Sequence, residues 1–181
     1  AEKFIKKFSG LASKTDYIIA PEGLSRFYWG GFTGPVVSSW MTKGNRLDEI
    51  NDFCNMLSTI YEREVLPLGE QVEIMLLGFS QGCATQVRWL HRDRPHFHQL
   101  WLWGGFIPED LVYTDEVTQT YLADKPIHHF RGDADPMIKD EFITMHRELI
   151  ADQALVVQEH LYSGEHRVVP DELARFVEEL L

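Results

Sequence analysis

The pentapeptide Gly78-Phe79-Ser80-Gln81-Gly82 constrains this chain more than any other stretch, because a strand pattern runs into it and a helix pattern runs out of it. Upstream, Val72 to Leu77 is a short apolar run suited to a buried parallel strand. Downstream, Cys83 to Leu90 places apolar residues at helical spacing, with no breaker before Pro95. A serine on so sharp a strand-to-helix turn carries its hydroxyl above the sheet edge, and the flanking glycines let backbone segments crowd there without Cβ clashes. The positive end of the following helix then faces any negative charge that develops at the serine.

The rest of the chain repeats the same alternation. Phe4, Ile5, Phe8, Leu11 and Ala12 fall at helical spacing, so residues 1–13 read as an amphipathic helix. Asp16 to Ala20 reads as a strand stopped by Pro21. Residues 21–45 mix glycines with Phe27, Tyr28, Trp29, Phe32 and Trp40 and read as a long loop, a length that compact domains keep for functional segments. Helix is predicted over 46–66, strand over 99–103, a second long loop over 106–125, strand over 126–131, helix over 138–151, strand over 155–161 and helix from Pro170 to the end. Such alternation predicts an α/β fold, a mostly parallel sheet with helices on both faces and its chemistry at the carboxyl ends of the strands.

Composition narrows the setting. With 181 residues, 44% of them hydrophobic, and no linker or repeat, one domain spanning 1–181 is expected. A formal charge of −11 opposes nucleic acid and anionic lipid surfaces as partners. Two cysteines, Cys54 and Cys83, offer neither a disulfide framework nor a Cys-x-x-Cys motif, which suits a reducing, cytoplasmic compartment and gives no metal site. The apolar stretch near Leu100 to Ile107 is too short to span a bilayer, so no integral membrane segment is expected. The opening on Ala1 rather than methionine leaves trimming, or a removed export signal, open.

A serine hydroxyl needs an adjacent base, normally a histidine oriented by a carboxylate. Of eight histidines, only His166 stands in a strand-to-helix loop on the edge where Ser80 emerges, although a solvated loop histidine is the ordinary reading of such a position. The turn Arg131 to Pro136 offers Asp133, placed to cap the turn through its own backbone, and Asp135, held extended by Pro136 and able to reach an imidazole. Asp135 is the favoured acid. Glu165 lies too close to His166 along the chain to be a comfortable partner.

The order Ser80, Asp135, His166 is that of α/β-hydrolases. With Ala20-Pro21-Glu22-Gly23, Ser39-Trp40, Gly104-Gly105-Phe106-Ile107-Pro108, Gly132-Asp133-Ala134-Asp135-Pro136 and Gly164-Glu165-His166, the chain resembles the carboxylesterase/phospholipase family related to acyl-protein thioesterases, over nearly its whole length. The resemblance implies Ser80 as nucleophile, Asp135 as acid, His166 as base and the Gln81 backbone N–H as one oxyanion donor. It also implies Trp40 as the leading substrate-binding candidate, with Phe106 a second and the segment from Phe106 to Lys125 either a cap or plain surface. Phe27, Tyr28, Trp29 and Phe32 either line an acyl pocket or close the core beneath a loop.

Relatives carry a further strand and a glycine-rich loop before the first helix, which supply the second oxyanion donor. Ala1 begins inside that helix. The N-terminal strands are therefore expected to be missing here, with at least about twenty-five residues upstream in the natural protein. The resulting expectation is a serine carboxylesterase that hydrolyses esters or thioesters, lysophospholipids among them, through an acyl-enzyme without any cofactor, and for which a homodimer is compatible. The alternative is a non-catalytic relative that binds a small ligand in the same pocket.

Overall fold

Alternation along β4 organises the molecule. In the computed structural model, which describes residues 2–11 and 17–181, Leu100 and Leu102 of that strand enter one apolar cluster while Trp101 and Trp103 enter another on the opposite face. A short helix, α1 (Glu2–Ile5), runs into a 3-10 turn at Lys6–Leu11. The hairpin strands β1 (Ser25–Tyr28) and β2 (Val36–Ser39) follow, then α2 (Arg46–Ile60). Next come β3 (Met75–Phe79), α3 (Gln81–Asp93), β4 (Gln99–Trp103), α4 (Glu116–Leu122), β5 (Ile127–Gly132), α5 (Asp140–Asp152), β6 (Gln158–Tyr162) and α6 (Pro170–Leu180). Strands β3 to β6 form a four-stranded parallel sheet in chain order, Met75 opposite Gln99, Leu100 opposite Ile127 and His128 opposite Gln158.

Helices cover both faces, as the alternation of patterns predicts. Phe53 and Leu57 of α2, Val87 and Leu90 of α3, and residues of α4 and α5 pack on the side of Leu100 and Leu102. Leu173, Phe176 and Val177 of α6, spaced as one helical face, pack with Phe8 and Leu11 against Trp101, Trp103 and Phe130. Pro170 occupies the first turn of α6, where its missing N–H costs nothing. Among the described residues no helix is long and apolar enough to cross a membrane.

Four expectations need correction. Residues 17–20 form no strand, and Asp16 and residues 12–15, with Ala1, lie outside the described residues. A ladder requires a neighbour about 4.8 Å away. Here Ile18 to Ala20 instead form one wall of a groove whose other wall includes Met75 to Phe79, and among the described strands β3 pairs with β4 alone. The loop over 21–45 contains the β1–β2 hairpin, and the loop over 106–125 contains α4, capped by Asp115, whose carboxylate accepts from the Thr118 N–H at 3.0 Å. The helix predicted over 46–66 is α-helical only to Ile60, then widens to a π turn over 61–65 and tightens to a 3-10 turn ahead of Gly69.

Candidate active site

The turn after β3 holds Ser80 at φ 53° and ψ −120°, in the left-handed region that side-chain-bearing residues seldom adopt. Its surroundings over-determine that conformation. The Ser80 N–H donates to the Trp103 carbonyl at 2.9 Å, and the Cys83 N–H returns to the Ser80 carbonyl at 3.0 Å. A Cβ on Gly78 would come within 2.6 Å of Cys83 Cα, and one on Gly105 within 2.3 Å of the Ser80 carbonyl oxygen. These two glycines allow β3, β4 and α3 to meet at the serine. Gly82, expected to do the same, faces open space. Cys83 is fully buried beneath the turn, where desolvation pushes its thiol well up, so it serves as packing.

Three side chains that the sequence singles out lie together at the carboxyl end of the sheet. His166 Nε2 is 2.9 Å from Ser80 Oγ, and His166 Nδ1 is 2.8 Å from Asp135 Oδ2. An ionised carboxylate only accepts, so Nδ1 carries the hydrogen and Nε2 is free to accept from the hydroxyl. The Asp135 side chain is completely buried and that of His166 is 21% exposed, which leaves the imidazole open to a substrate while its orienting group is shielded. The ring lies against Phe79, with centroids 5.0 Å apart.

The loops that carry Asp135 and His166 are tied to each other. The Asp133 carboxylate accepts from the Gly164 N–H at 2.9 Å rather than from its own turn, and the Ala134 N–H donates to the Gly164 carbonyl at 3.0 Å. It is the second Asp135 oxygen that caps the turn, accepting from the Met137 N–H at 2.8 Å. A Cβ on Gly132 would fall 2.2 Å from the Gly164 carbonyl, so glycine is required where the loops touch. Two supporting residues carry no motif in the sequence. Trp103 Nε1 donates to Tyr162 Oη at 2.8 Å, and Tyr162 Oη donates to the Arg167 carbonyl at 2.9 Å, which holds the segment just after His166. Only their place at the carboxyl ends of β4 and β6, on either side of β5, signals that role.

Gln81 opens α3, where a backbone N–H has no intrahelical acceptor. Its side chain does more than the sequence suggests. Oε1 accepts from the Trp40 N–H at 2.8 Å and lies 3.2 Å from Ser39 Oγ, while Nε2 donates to the Met41 carbonyl at 2.7 Å. This staples the end of β2 beside Ser80 and sets Trp40, edge-on to Phe53, among the residues lining the groove at the serine. Phe106 lies elsewhere, its ring against His129 and His146 and outside that groove. Phe27, Tyr28, Trp29 and Phe32 neither line the groove nor close the core. They are exposed, Phe32 to 93%. Among the described residues no group of three or more histidine, cysteine or acidic side chains could hold a metal ion.

A parallel sheet with a strained serine after one strand, and with aspartate and histidine after later ones, defines an α/β-hydrolase. A family model described as phospholipase/carboxylesterase matches residues 20–180, and the chain belongs to that family, whose chemistry is that of ester hydrolases. No curated protein sequence matches the chain significantly. Among solved structures it is similar to acyl-protein thioesterase 2 of Zea mays, with a TM-score of 0.68 and 16% identity over 97% of this chain and 86% of that one. The protein Atu2452 of unknown function from Agrobacterium tumefaciens str. C58 gives 0.59 and 16% over 89% and 74%. A single-substitution variant of SOBER1 from Arabidopsis thaliana gives 0.59 and 17% over 81% and 73%. At such identities these likenesses establish the fold.

Proposed function

We propose that the protein is a serine esterase that hydrolyses carboxylic esters or thioesters, lysophospholipids included, through an acyl-enzyme on Ser80. The observation that carries this reading is the unbroken relay from Ser80 Oγ to His166 Nε2 at 2.9 Å and from His166 Nδ1 to Asp135 Oδ2 at 2.8 Å. In attack, Ser80 Oγ bonds the acyl carbon while its proton passes to His166 Nε2, and the buried Asp135 carboxylate stabilises the imidazolium. The Gln81 N–H and the amino end of α3 face the developing oxyanion. Collapse expels the alkoxide or thiolate, which takes the proton from His166. Water, deprotonated by the same nitrogen, then attacks the acyl-serine, and as the bond to Ser80 Oγ breaks and the acid leaves, His166 returns that proton to Oγ. Trp40 is the aromatic wall against which an acyl group packs, and no metal or organic cofactor enters the scheme. Cys54 and Cys83, both buried free thiols, suit a reducing, cytoplasmic setting, and residues 1–181 act as one domain.

A fluorophosphonate probe tests the reading. It should label the protein at Ser80, and Ser80→Ala should abolish labelling. Both Ser80→Ala and His166→Ala should lower kcat on an activated ester by roughly 10⁴ to 10⁶. An unlabelled Ser80, or either variant retaining a tenth of the parent rate, would favour the non-catalytic binding module instead.

A further inference from the structure

The segment Gly104-Gly105-Phe106-Ile107-Pro108 takes no part in the proposed hydrolysis, although it lies against both Ser80 and His166. Beyond Trp103 the chain leaves the β4 ladder and runs through the interior without regular structure, with Gly104, Gly105, Ile107 and Pro108 all buried. Buried backbone groups outside a ladder must find partners elsewhere. The Gly104 N–H donates to the Phe130 carbonyl at 2.8 Å, and the Pro108 carbonyl accepts from Tyr113 Oη at 2.8 Å. Between them, the Ile107 N–H donates to an imidazole, His146 Nε2, at 3.3 Å.

His146 sits on the buried face of α5 with Ile143, where a leucine would satisfy the helical pattern as well. Burial lowers its pKa to about 4, so near pH 7 the ring is neutral. A neutral ring that accepts on Nε2 carries its hydrogen on Nδ1. The same ring lies 4.8 Å from that of Phe106, whose other neighbour, His129, is 5.5 Å away. Helix α5 thus grips two consecutive residues, one by its ring and one by its backbone. The two residues before them have no side chain to grip. A Cβ on Gly105 would fall 2.3 Å from the Ser80 carbonyl oxygen, and one on Gly104 3.4 Å from His166 Nδ1. A glycine pair has wide backbone freedom, so its place is set by what anchors the chain on either side: the β4 ladder before it, and the hold of α5 after it.

We propose that His146 is a positioning residue for the Ser80–His166 pair: through the Ile107 N–H and the Phe106 ring it holds Gly104 and Gly105 against both. Resting on the esterase reading, it acts on turnover by keeping Ser80 Oγ and His166 Nε2 in register, and it meets neither the substrate nor the reacting atoms. Without that acceptor the buried Ile107 N–H must move to find another partner, and the glycine pair moves with it. A misplacement of about 1 Å costs on the order of 10²-fold in rate, so a shift of a few tenths of that is worth about tenfold.

Two substitutions separate this role from packing. His146→Leu keeps the volume and removes the acceptor, whereas His146→Gln sets an amide oxygen near the place of Nε2. On an activated ester His146→Leu should lower kcat about tenfold with KM within about twofold of the parent, and His146→Gln should recover most of that kcat. Amide hydrogen exchange followed by NMR, in the full chain carrying Ser80→Ala, reads the contact without turnover. There His146→Leu should speed exchange at Ile107 at least about tenfold relative to Leu100, whose N–H is bonded to the Pro126 carbonyl at 3.0 Å, and His146→Gln should leave Ile107 protected. Imidazole nitrogen shifts of the unsubstituted chain should place the His146 hydrogen on Nδ1. The role is overturned by a folded His146→Leu that keeps kcat within about twofold and loses only Tm, by a His146→Gln no better than His146→Leu, by unchanged exchange at Ile107, or by a hydrogen on Nε2. Should His146→Leu fail to fold, the tautomer and the two readings of His146→Gln decide. If the parent hydrolyses no ester, the esterase reading fails, while exchange at Ile107 and the tautomer still decide whether His146 holds the segment.

Discussion

His129 is a built-in weakness toward acid, and its size follows from its position on β5. The ring is completely buried between Phe106 and His146, and neither nitrogen makes a hydrogen bond, although the Gly105 backbone lies near. Desolvation is the main cause that lowers its pKa from 6.5 to about 4. The folded chain thus binds fewer protons than the unfolded chain between those values, so stability is full above about pH 6.5 and is lost as pH falls toward 4. At pH 5 the unfolded ring is almost wholly protonated and the folded ring is not, a difference of about 2 kcal/mol; at pH 7.5 the same quantity is below about 0.1 kcal/mol. His129→Leu, close in volume and without a proton to gain, should raise stability at pH 5 by about 2 kcal/mol more than at pH 7.5. For a domain of this length that is about 4 to 8 °C of Tm. Urea denaturation followed by circular dichroism at both pH values reads it directly. Equal effects of the substitution at the two pH values, within about 0.5 kcal/mol, would refute the claim that a neutral buried ring sits there. His128 and His146 are lowered to about 4 by the same burial, so the parent protein should lose stability steeply over this window, before most carboxylates titrate.

Two other expectations concern the site. Asp135→Asn should lower kcat on an activated ester by on the order of 10⁴ with Tm little changed, because the histidine loses its orienting acceptor, whereas Asp133→Asn should keep most activity and lower Tm by weakening the bond to the Gly164 N–H; steady-state kinetics and thermal melts of both variants would expose a reversed assignment. Gly105→Ala should cost about 1 to 3 kcal/mol and most of the activity, since its Cβ would lie 2.3 Å from the Ser80 carbonyl oxygen and 2.8 Å from Cys83 Sγ, while Gly82→Ala, with nothing within 4 Å, should leave Tm unchanged or higher.

Much of the parallel sheet is legible in the sequence because both of its faces are covered. Gln99–Trp103 reads as a strand from its continuous apolar run and is one, and β5, β6 and α6 fall within three residues of their expected bounds. Asp133, Asp135, Ser80 and His166 are found at strand ends because that is where loops converge in such a sheet. What fails is local pattern without tertiary context. Asp16 to Ala20 has the residues of a strand, yet Tyr17 to Ala20 line a groove instead of joining a ladder. The hairpin is hidden because strand patterning is recognised by one polar and one apolar face, and here both faces are aromatic. The Gln81 clamp is invisible for another reason: its partners are backbone groups 40 and 41 residues away and a serine 42 residues away, which no local motif encodes.

Strand order in the main sheet equals chain order, and this has a consequence for synthesis. Each of β4, β5 and β6 docks onto the edge left by its predecessor, so the sheet grows from one side as the polypeptide emerges, with no later strand to be threaded between earlier ones. Ser80 and its strained turn belong to the first strand of that series, whereas His166 follows the last, 86 residues on. At translation rates of roughly 5 to 20 residues per second, Ser80 precedes His166 by about 4 to 17 seconds. During that interval the nascent hydroxyl lacks its imidazole neighbour, so the cluster of Ser80, Asp135 and His166 is completed only after the last strand of the sheet has emerged.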